Sequence, residues 1–550
     1  MIVLFRRLIV CVALAGGLAG PLPSYAKNGP IVDAPAGQLQ GQTEGTLNVF
    51  KGILYALPPV GPARWKPPAP MPRWSGIRSA VQYGAACVQL TSLPVSIYTD
   101  DDSIAPSEDC LSLNIWAPRN AHNTPVMMWI HGGALWGGRS SEAIYDGTKL
   151  ASRGIIVVSI NYRVGILGWL AHPELSAESP QGISGNYGLL DQIEALRWVK
   201  ANIASFGGDP SSVTIAGESA GGLSVMYLMA SPSARGLFAK AIAESAYMVS
   251  TPELKQSKFG ESAAEENGAA LAAKLHAPNI AALRAMDAAT LTLQAAINKF
   301  SPFGTIDGII LPRQLVDVFD RGEQAQVPLL AGFNSGEIRS LRVLAPPAPP
   351  SASEYEQTIR ARYGDLADAY LRLYPSTDMP ESILAATRDD IYGWTAQRLA
   401  AKQAALGLPS FLYFFDHGYP AEDEANLHGF HGSELPFVFG TADRAPAHWP
   451  KIPDTSVETA LSDVMVGYWS SFVQTARPVA AGAAKWSPYG STASYMTFTD
   501  APHAADHLLP EAYALHEQVV CRRRAAGNIP WNWNNGLVSP PLPPKTAQCQ

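Results

Sequence analysis

Four apolar runs, at 126–130, 155–160, 213–216 and 239–244, dominate the hydrophobic pattern of this chain. They are nearly continuous rather than alternating, which is how strands buried on both faces read. Between the second and third, Leu189, Leu190, Ile193, Leu196, Val199 and Ile203 recur at helical spacing and predict a crossover helix over 188–203. Strand and helix patterns alternate from about 124 to 247. That alternation predicts an α/β fold, a mostly parallel central sheet with helices on both faces. Further strands are predicted at 327–332 and 411–415, and a late helix at 457–475. Residues 27–120 are turn-rich, with prolines at 58, 59, 62, 67, 68, 70 and 72. Two helical insertions are expected, around 252–300 and 338–408, the second covering the functional site and carrying the proline-rich loop 346–350. The tail after Cys521 reads as irregular. No repeat and no Gly/Ser linker is visible, so residues 27–550 read as one domain.

Candidate chemistry begins at Gly217-Glu218-Ser219-Ala220-Gly221, directly after the run 213–216. A strand ending in G-x-S-x-G turns sharply into a helix with the serine at the apex, in strained backbone with φ above zero. This lifts Ser219 Oγ out of the sheet and aims the Ala220 amide at a developing oxyanion. The pattern predicts nucleophilic acyl transfer. A second element supports it: run 126–130 leads into His131-Gly132-Gly133-Ala134, a loop type that sets backbone N–H groups opposite the serine. Glycine is needed there because a Cβ would keep the backbone from the substrate oxygen.

A serine hydroxyl needs a base, and the base needs a carboxylate to fix its tautomer. In a strand–serine–helix architecture the chain order is Ser, acid, His. His431 is the best-placed base, in a loop beside Gly432 and just before the apolar run Leu435–Phe439; spacing alone leaves His428 open. For the acid, Glu337 follows the run 329–332 in a short loop, with Asp307 and Asp416 as rivals.

Composition narrows the setting. The chain has 550 residues, 47% hydrophobic and 16% charged, which suits a globular protein with a large core. A net charge of −7 with no basic run makes nucleic acid a poor partner. Arg6 and Arg7, the apolar stretch 8–19 and Ser24-Tyr25-Ala26 form a secretory signal over 1–26, with an apolar run too short to span a membrane. An exported protein, periplasmic or secreted and bacterial in style, is expected. Cys11 falls in the signal. Proximity pairs the other four as Cys87–Cys110 and Cys521–Cys549. Their spacing resembles no zinc site, so no metal is expected.

Together these residues resemble the type-B carboxylesterases of the α/β-hydrolase fold, a family that includes the cholinesterases. Residues 50–56 with Pro58-Pro59-Val60-Gly61 are similar to its early F-x-G-I-P-Y-A-x-P-P-V-G run, with Leu54 in place of proline. Residues 108–114 match its E-D-C-L-x-L-N motif, and 206–210 with 217–222 its serine signature. The resemblance implies Ser219 as nucleophile and Glu337 as acid, with Ile338 where glycine is usual. It implies His431 as base, in H-G-x-E-x-x-F-V-F-G, and an oxyanion hole from Gly132, Gly133 and Ala220. It carries over Cys87–Cys110 as a disulfide and likens Glu108 and Arg163 to a buried ion pair. Glu218 is expected to be buried support, and Ser245 to support the acid–base contact, in a segment where Glu244 replaces the usual Gln.

The reaction expected is hydrolysis of a small-molecule carboxylic ester through an acyl-enzyme, with no cofactor and with activity falling below roughly pH 6–7. Leu135 and Trp136, next to the oxyanion loop, are candidates to line the cleft, and Arg339 could meet an acidic substrate or be paired. The competing readings are a non-catalytic adhesion module and an amidase or lipase.

Overall fold

The structure, a computed structural model, describes residues 29–90, 95–99, 104–532 and 536–549. The expected signal lies outside them. Among the described residues eleven strands form the main sheet. They are β1 (Gln42–Glu44), β2 (Leu47–Leu54), β3 (Ser112–Pro118), β4 (Thr124–Ile130), β5 (Ile156–Ile160) and β6 (Gly208–Glu218). There follow β7 (Lys240–Glu244), β8 (Leu329–Asn334), β9 (Ser410–Phe415), β10 (Ser494–Phe498) and β11 (His503–Asp506). Their order across the sheet is β11-β10-β9-β8-β7-β6-β4-β5-β3-β2-β1. From β5 through β10 all neighbours are parallel. The antiparallel pairs lie at the two edges.

The near-continuous apolar runs are explained by which face each residue serves. On β4, Val126, Met128 and Ile130 face one side, where helices α1 (Tyr187–Asn202), α2 (Ala220–Ala230) and α3 (Trp394–Ala405) pack. Met127 and Trp129 face the other, against Leu461, Met465, Trp469 and Phe472 of α4 (Ser456–Thr475). Both sides are buried, so neither parity of the strand is polar. The segment 252–300 carries short helices whose Leu271, Ile280, Leu283 and Leu291 form a satellite core with Ile166, Leu170 and Tyr187. A second satellite joins Tyr355, Ile359, Tyr363 and Tyr370 to Leu515 and Val519.

The last two residues belong to a helix that the hydrophobic pattern did not predict, α5 (Pro510–Ala526). The tail is therefore helical through Cys521 and irregular only after Ala526. Its ends carry the usual punctuation, Pro510 in the first turn and Gly527 with φ 73° beyond the last. Both expected disulfides form, Cys87–Cys110 with Cα atoms 5.0 Å apart and Cys521–Cys549 at 5.7 Å. The second ties the tail to α5.

The expected Glu108–Arg163 pair does not form. Arg64 holds Glu108 through two contacts of 2.7 Å, and Arg163 holds Asp191 of α1 at 2.8 and 2.7 Å. Each motif supplies one half of a different ion pair, one part-buried and one buried, and their partners lie elsewhere in the chain. Arg64 also donates to the Met286 carbonyl at 2.8 Å, so it fastens the 252–300 segment to the sheet's entry loop. The Arg163–Asp191 pair is almost wholly buried. Removing one partner of such a pair strands the other charge. Asp191→Ala is expected to cost about 3–5 kcal/mol, read as a lower denaturant midpoint; an unchanged midpoint would refute it.

Candidate active site

Ser219 sits where β6 ends and α2 begins, with φ 56° and ψ −121°. An L-residue held there costs of order 1–3 kcal/mol. Two backbone hydrogen bonds hold the turn: Ser219 N–H donates to the Glu244 carbonyl on β7 at 3.0 Å, and Leu223 N–H to the Ser219 carbonyl at 2.9 Å. Clearance explains the motif's glycines. A Cβ on Gly217 would lie 2.6 Å from the Gly221 carbonyl carbon, and one on Gly221 2.0 Å from the Ile130 oxygen. The elbow thus presses directly on the end of β4.

Past that end the backbone turns back toward the serine. A Cβ on Gly132 would meet Glu218 Oε2 at 2.9 Å and Ser219 Cβ at 3.2 Å. Gly133 takes φ 97°, and its carbonyl accepts from Trp136 and Gly137 N–H at 2.9 and 3.1 Å. Among the described residues no acceptor takes the N–H of Gly133 or Ala220. His131 is buried under this loop, stacked on Tyr162, and burial lowers its pKa to about 4. It is a neutral structural ring.

His431 and Glu337 meet here. Nδ1 of the imidazole lies 2.5 Å from Glu337 Oε2. The other carboxylate oxygen, Oε1, accepts from Asn334 N–H at 2.8 Å. Asn334 also donates through Nδ2 to Phe430 O (2.9 Å) and Glu434 Oε2 (2.5 Å), which ties the acid loop to the histidine loop. The Tyr98 hydroxyl lies 2.7 Å from both the His431 carbonyl and Ser340 Oγ. Nε2 faces Glu218 Oε1 at 3.0 Å, although that oxygen has no hydrogen bond of good geometry. No hydrogen bond links Nε2 to Ser219 Oγ. Such bonds commonly tighten only with substrate in place.

The rival groups are occupied elsewhere. His428 sits between Asp423 (2.7 Å) and Asp416 (3.4 Å), and these carboxylates, Asp416 foremost, hold its pKa at about 9. Asp307 accepts from the N–H groups of Ile309, Ile310 and Leu311, as a turn former does. Arg339 is paired with Glu381 and Asn426.

Other sequence expectations are corrected. Leu135 is fully buried in the main core at φ 60°, so it presents no surface to a cleft. Trp136 is half-buried, edge-on to Phe300 at 6.1 Å. Ser245 gives the acid–base pair no direct bond: its Oγ is buried without a partner, and only its N–H is used, to Gly332 O. Ile338 is not at positive φ, so the loop does not need glycine there.

A carboxylesterase-family model matches residues 28–515. The chain belongs to the carboxylesterase family. It is a carboxylic ester hydrolase of the serine type with the α/β-hydrolase fold. It is 35% identical over 505 residues to a fumonisin B1 esterase of Sphingopyxis macrogoltabida, covering 88% of this chain and 89% of that one. It is 36% identical to the para-nitrobenzyl esterase of Bacillus subtilis (strain 168), over 84% of this chain and 92% of that one. A solved PNB esterase superposes with a TM-score of 0.77 at 33% identity, covering 89% of this chain and 99% of that one.

What stands out in this carboxylesterase is the number of buried acids around one imidazole. Glu218, Glu244, Glu337 and Glu434 are all buried. Burial raises the pKa of Glu218, Glu434 and Glu244, and their mutual repulsion adds to it. Glu244, in the position where Gln was expected, accepts from Trp469 Nε1 at 2.9 Å, and its second oxygen has no partner. In the neutral form, which burial favours, a glutamic acid presents one acceptor and one donor, as a glutamine amide does. Burial pulls His431 the other way, toward the neutral form, but the carboxylates of Glu218 and then Glu337 outweigh it and raise its pKa above the ordinary value. The sequence pointed to Glu218 only as support and missed Tyr98, Asn334 and Glu434; the adjacency of Glu434 to His431 in the H-G-x-E motif was the available signal. In an NMR titration the His431 imidazole is expected to titrate above about 6.5, and Glu218→Gln to lower that value. An unshifted midpoint in the variant would remove Glu218 from this role.

Proposed function

We propose that Ser219 is the nucleophile, His431 its general base and Glu337 the carboxylate that orients the base. The amides of Gly132, Gly133 and Ala220 form the oxyanion hole. The observation that carries this reading is the 2.5 Å contact of His431 Nδ1 with Glu337 beside a serine in strained elbow geometry. With Glu337 on Nδ1, Nε2 is left to take the Ser219 proton as Oγ attacks the acyl carbon. The tetrahedral oxyanion is met by backbone N–H groups that cost no reorganisation. His431 returns the proton to the departing alcohol, and water then releases the acid by the reverse sequence. The base must be neutral to act. A base held above its ordinary pKa loses activity as pH falls through that higher value, so the acid limit lies above the pH 6–7 read from sequence.

The relatives' names, fumonisin B1, para-nitrobenzyl and cocaine esterases, differ in the esters they specify. A panel of small aryl and alkyl esters is therefore the suitable probe, with Trp136 at the cleft. Matched amides and long-chain esters separate the amidase and lipase readings. We further propose one catalytic domain over 27–550, with the insertions around 252–300 and 338–408, exported by a signal at 1–26. Two disulfides support an oxidising compartment. N-terminal sequencing of exported protein should begin at Lys27; retention of residues 1–26 would refute this.

Ser219→Ala is expected to abolish both ester turnover and labelling by an organophosphonate. Gly132→Ala keeps its N–H but places a Cβ 3.2 Å from Ser219 Cβ, and the resulting displacement should lower kcat by up to about a hundredfold. Labelling that persists in Ser219→Ala would overturn the assignment of the nucleophile, and no labelling of the wild-type chain would favour the adhesion reading.

A further inference from the structure

Between the helix Met379–Arg388 and α3 the chain makes one π-helical turn, Asp389–Gly393. Such a turn costs regular hydrogen bonding and is retained mostly where it re-aims side chains. Here it touches the catalytic site from three directions. Arg388, just before the turn, donates from Nη1 to the Ser335 carbonyl at 3.0 Å, inside the loop that carries Glu337. Its Nε is held by Asp389 Oδ1 at 2.7 Å, and Asp389 Oδ2 accepts from Tyr374 at 3.0 Å. Tyr392 lays its ring against the His431 imidazole, centroids 5.2 Å apart at 40°, and is itself braced edge-on by Tyr247 at 6.2 Å. At Gly393 a Cβ would lie 3.2 Å from the Phe333 ring, on the strand that leads into the acid loop. One turn of chain therefore abuts the base, the loop of the acid and the strand beneath it. Nothing in the mechanism above uses any of these groups.

We propose that Tyr392 and Arg388 are positioning residues for the Glu337–His431 pair, with the π-turn as the device that lets both reach it. This rests on the triad assignment above. Tyr392 fixes the plane of the imidazole through its face. Arg388 fixes the height of the acid loop through a backbone carbonyl. Acting through the base and the acid loop, each is expected to affect the chemical step rather than binding. A misplacement of about 1 Å in such a pair can cost up to a hundredfold in rate.

The test is the split between kcat and KM for Tyr392→Leu, Tyr392→Phe, Arg388→Met and Ser219→Ala on one ester, with thermal unfolding measured for each. Tyr392→Leu and Arg388→Met should lower kcat about ten- to a hundredfold with KM within about twofold. Tyr392→Phe keeps the ring and should recover most of the loss. Wild-type kcat in folded Tyr392→Leu and Arg388→Met, or a change confined to KM, overturns the proposal. So does a Phe variant as slow as the Leu variant, which would place the function in the hydroxyl. If Tyr392→Leu does not fold, Arg388→Met decides by the same split. Activity surviving in Ser219→Ala would instead overturn the triad assignment, a separate outcome.

Discussion

The contact between His431 and Glu337 is the constraint on which the rest of the site depends. It joins two loops that are 94 residues apart in the chain, and both loops are fixed by the same asparagine. Asn334 ends β8, donates its N–H to Glu337 and its side-chain amide to the histidine loop. Glu337 and His431 are thus held by the last residue of a central strand rather than by their loops alone. Precision here comes from the sheet: β8 is clamped between β7 and β9 over most of its length.

The serine is held by a different device. Its backbone conformation is unfavourable by itself, and it persists because neighbours over-determine it. Glu244, at the end of β7, accepts from the serine's N–H, while its side chain is anchored to Trp469 of α4 on the opposite layer. Gly217 and Gly221 let β4 press on the elbow where any Cβ would collide. The strained turn therefore draws on contacts from both layers of the fold, which is why a large core and a small reactive centre are one problem of packing.

How much of this was legible in the chain depended on whether a feature was local. The central strands read correctly because burial on both faces leaves continuous apolar runs, as at 126–130. The elbow read correctly because its glycines fall within one five-residue motif, even though the backbone that demands them includes the end of β4. The edge strand β11, its neighbour β10 and the helix α5 were missed: β11 and α5 are partly exposed with mixed polarity, and β10 is a short run, Ser494–Phe498, that mixes Ser, Tyr and Thr with its apolar residues. Pairings were the least legible. Glu108 and Arg163 each sit in a strong motif, yet nothing local says that Arg64 and Asp191 are their partners. Likewise His428 and His431 differ by three residues; spacing leaves them open, the family motif favours His431, and the surrounding acids, Asp416 and Asp423 for one and Glu337 for the other, set them apart.

The same distinction explains how four buried glutamates coexist within one site. Four neighbouring negative charges away from water would repel strongly. Hydrogen-bond donors sort them instead. Glu337 has a donor on each oxygen, a backbone N–H on one and the imidazole on the other. Glu244 keeps one buried oxygen without a donor, and burial favours its neutral form, whereas at Glu218 the push of burial is opposed by the imidazole 3.0 Å away. The His431 imidazole lies between two of them, Glu337 on Nδ1 and Glu218 on Nε2. The acids outnumber the base by count, and the arrangement of donors gives three of them distinct partners: the Asn334 N–H and the imidazole for Glu337, the Asn334 amide for Glu434 and the Trp469 indole for Glu244.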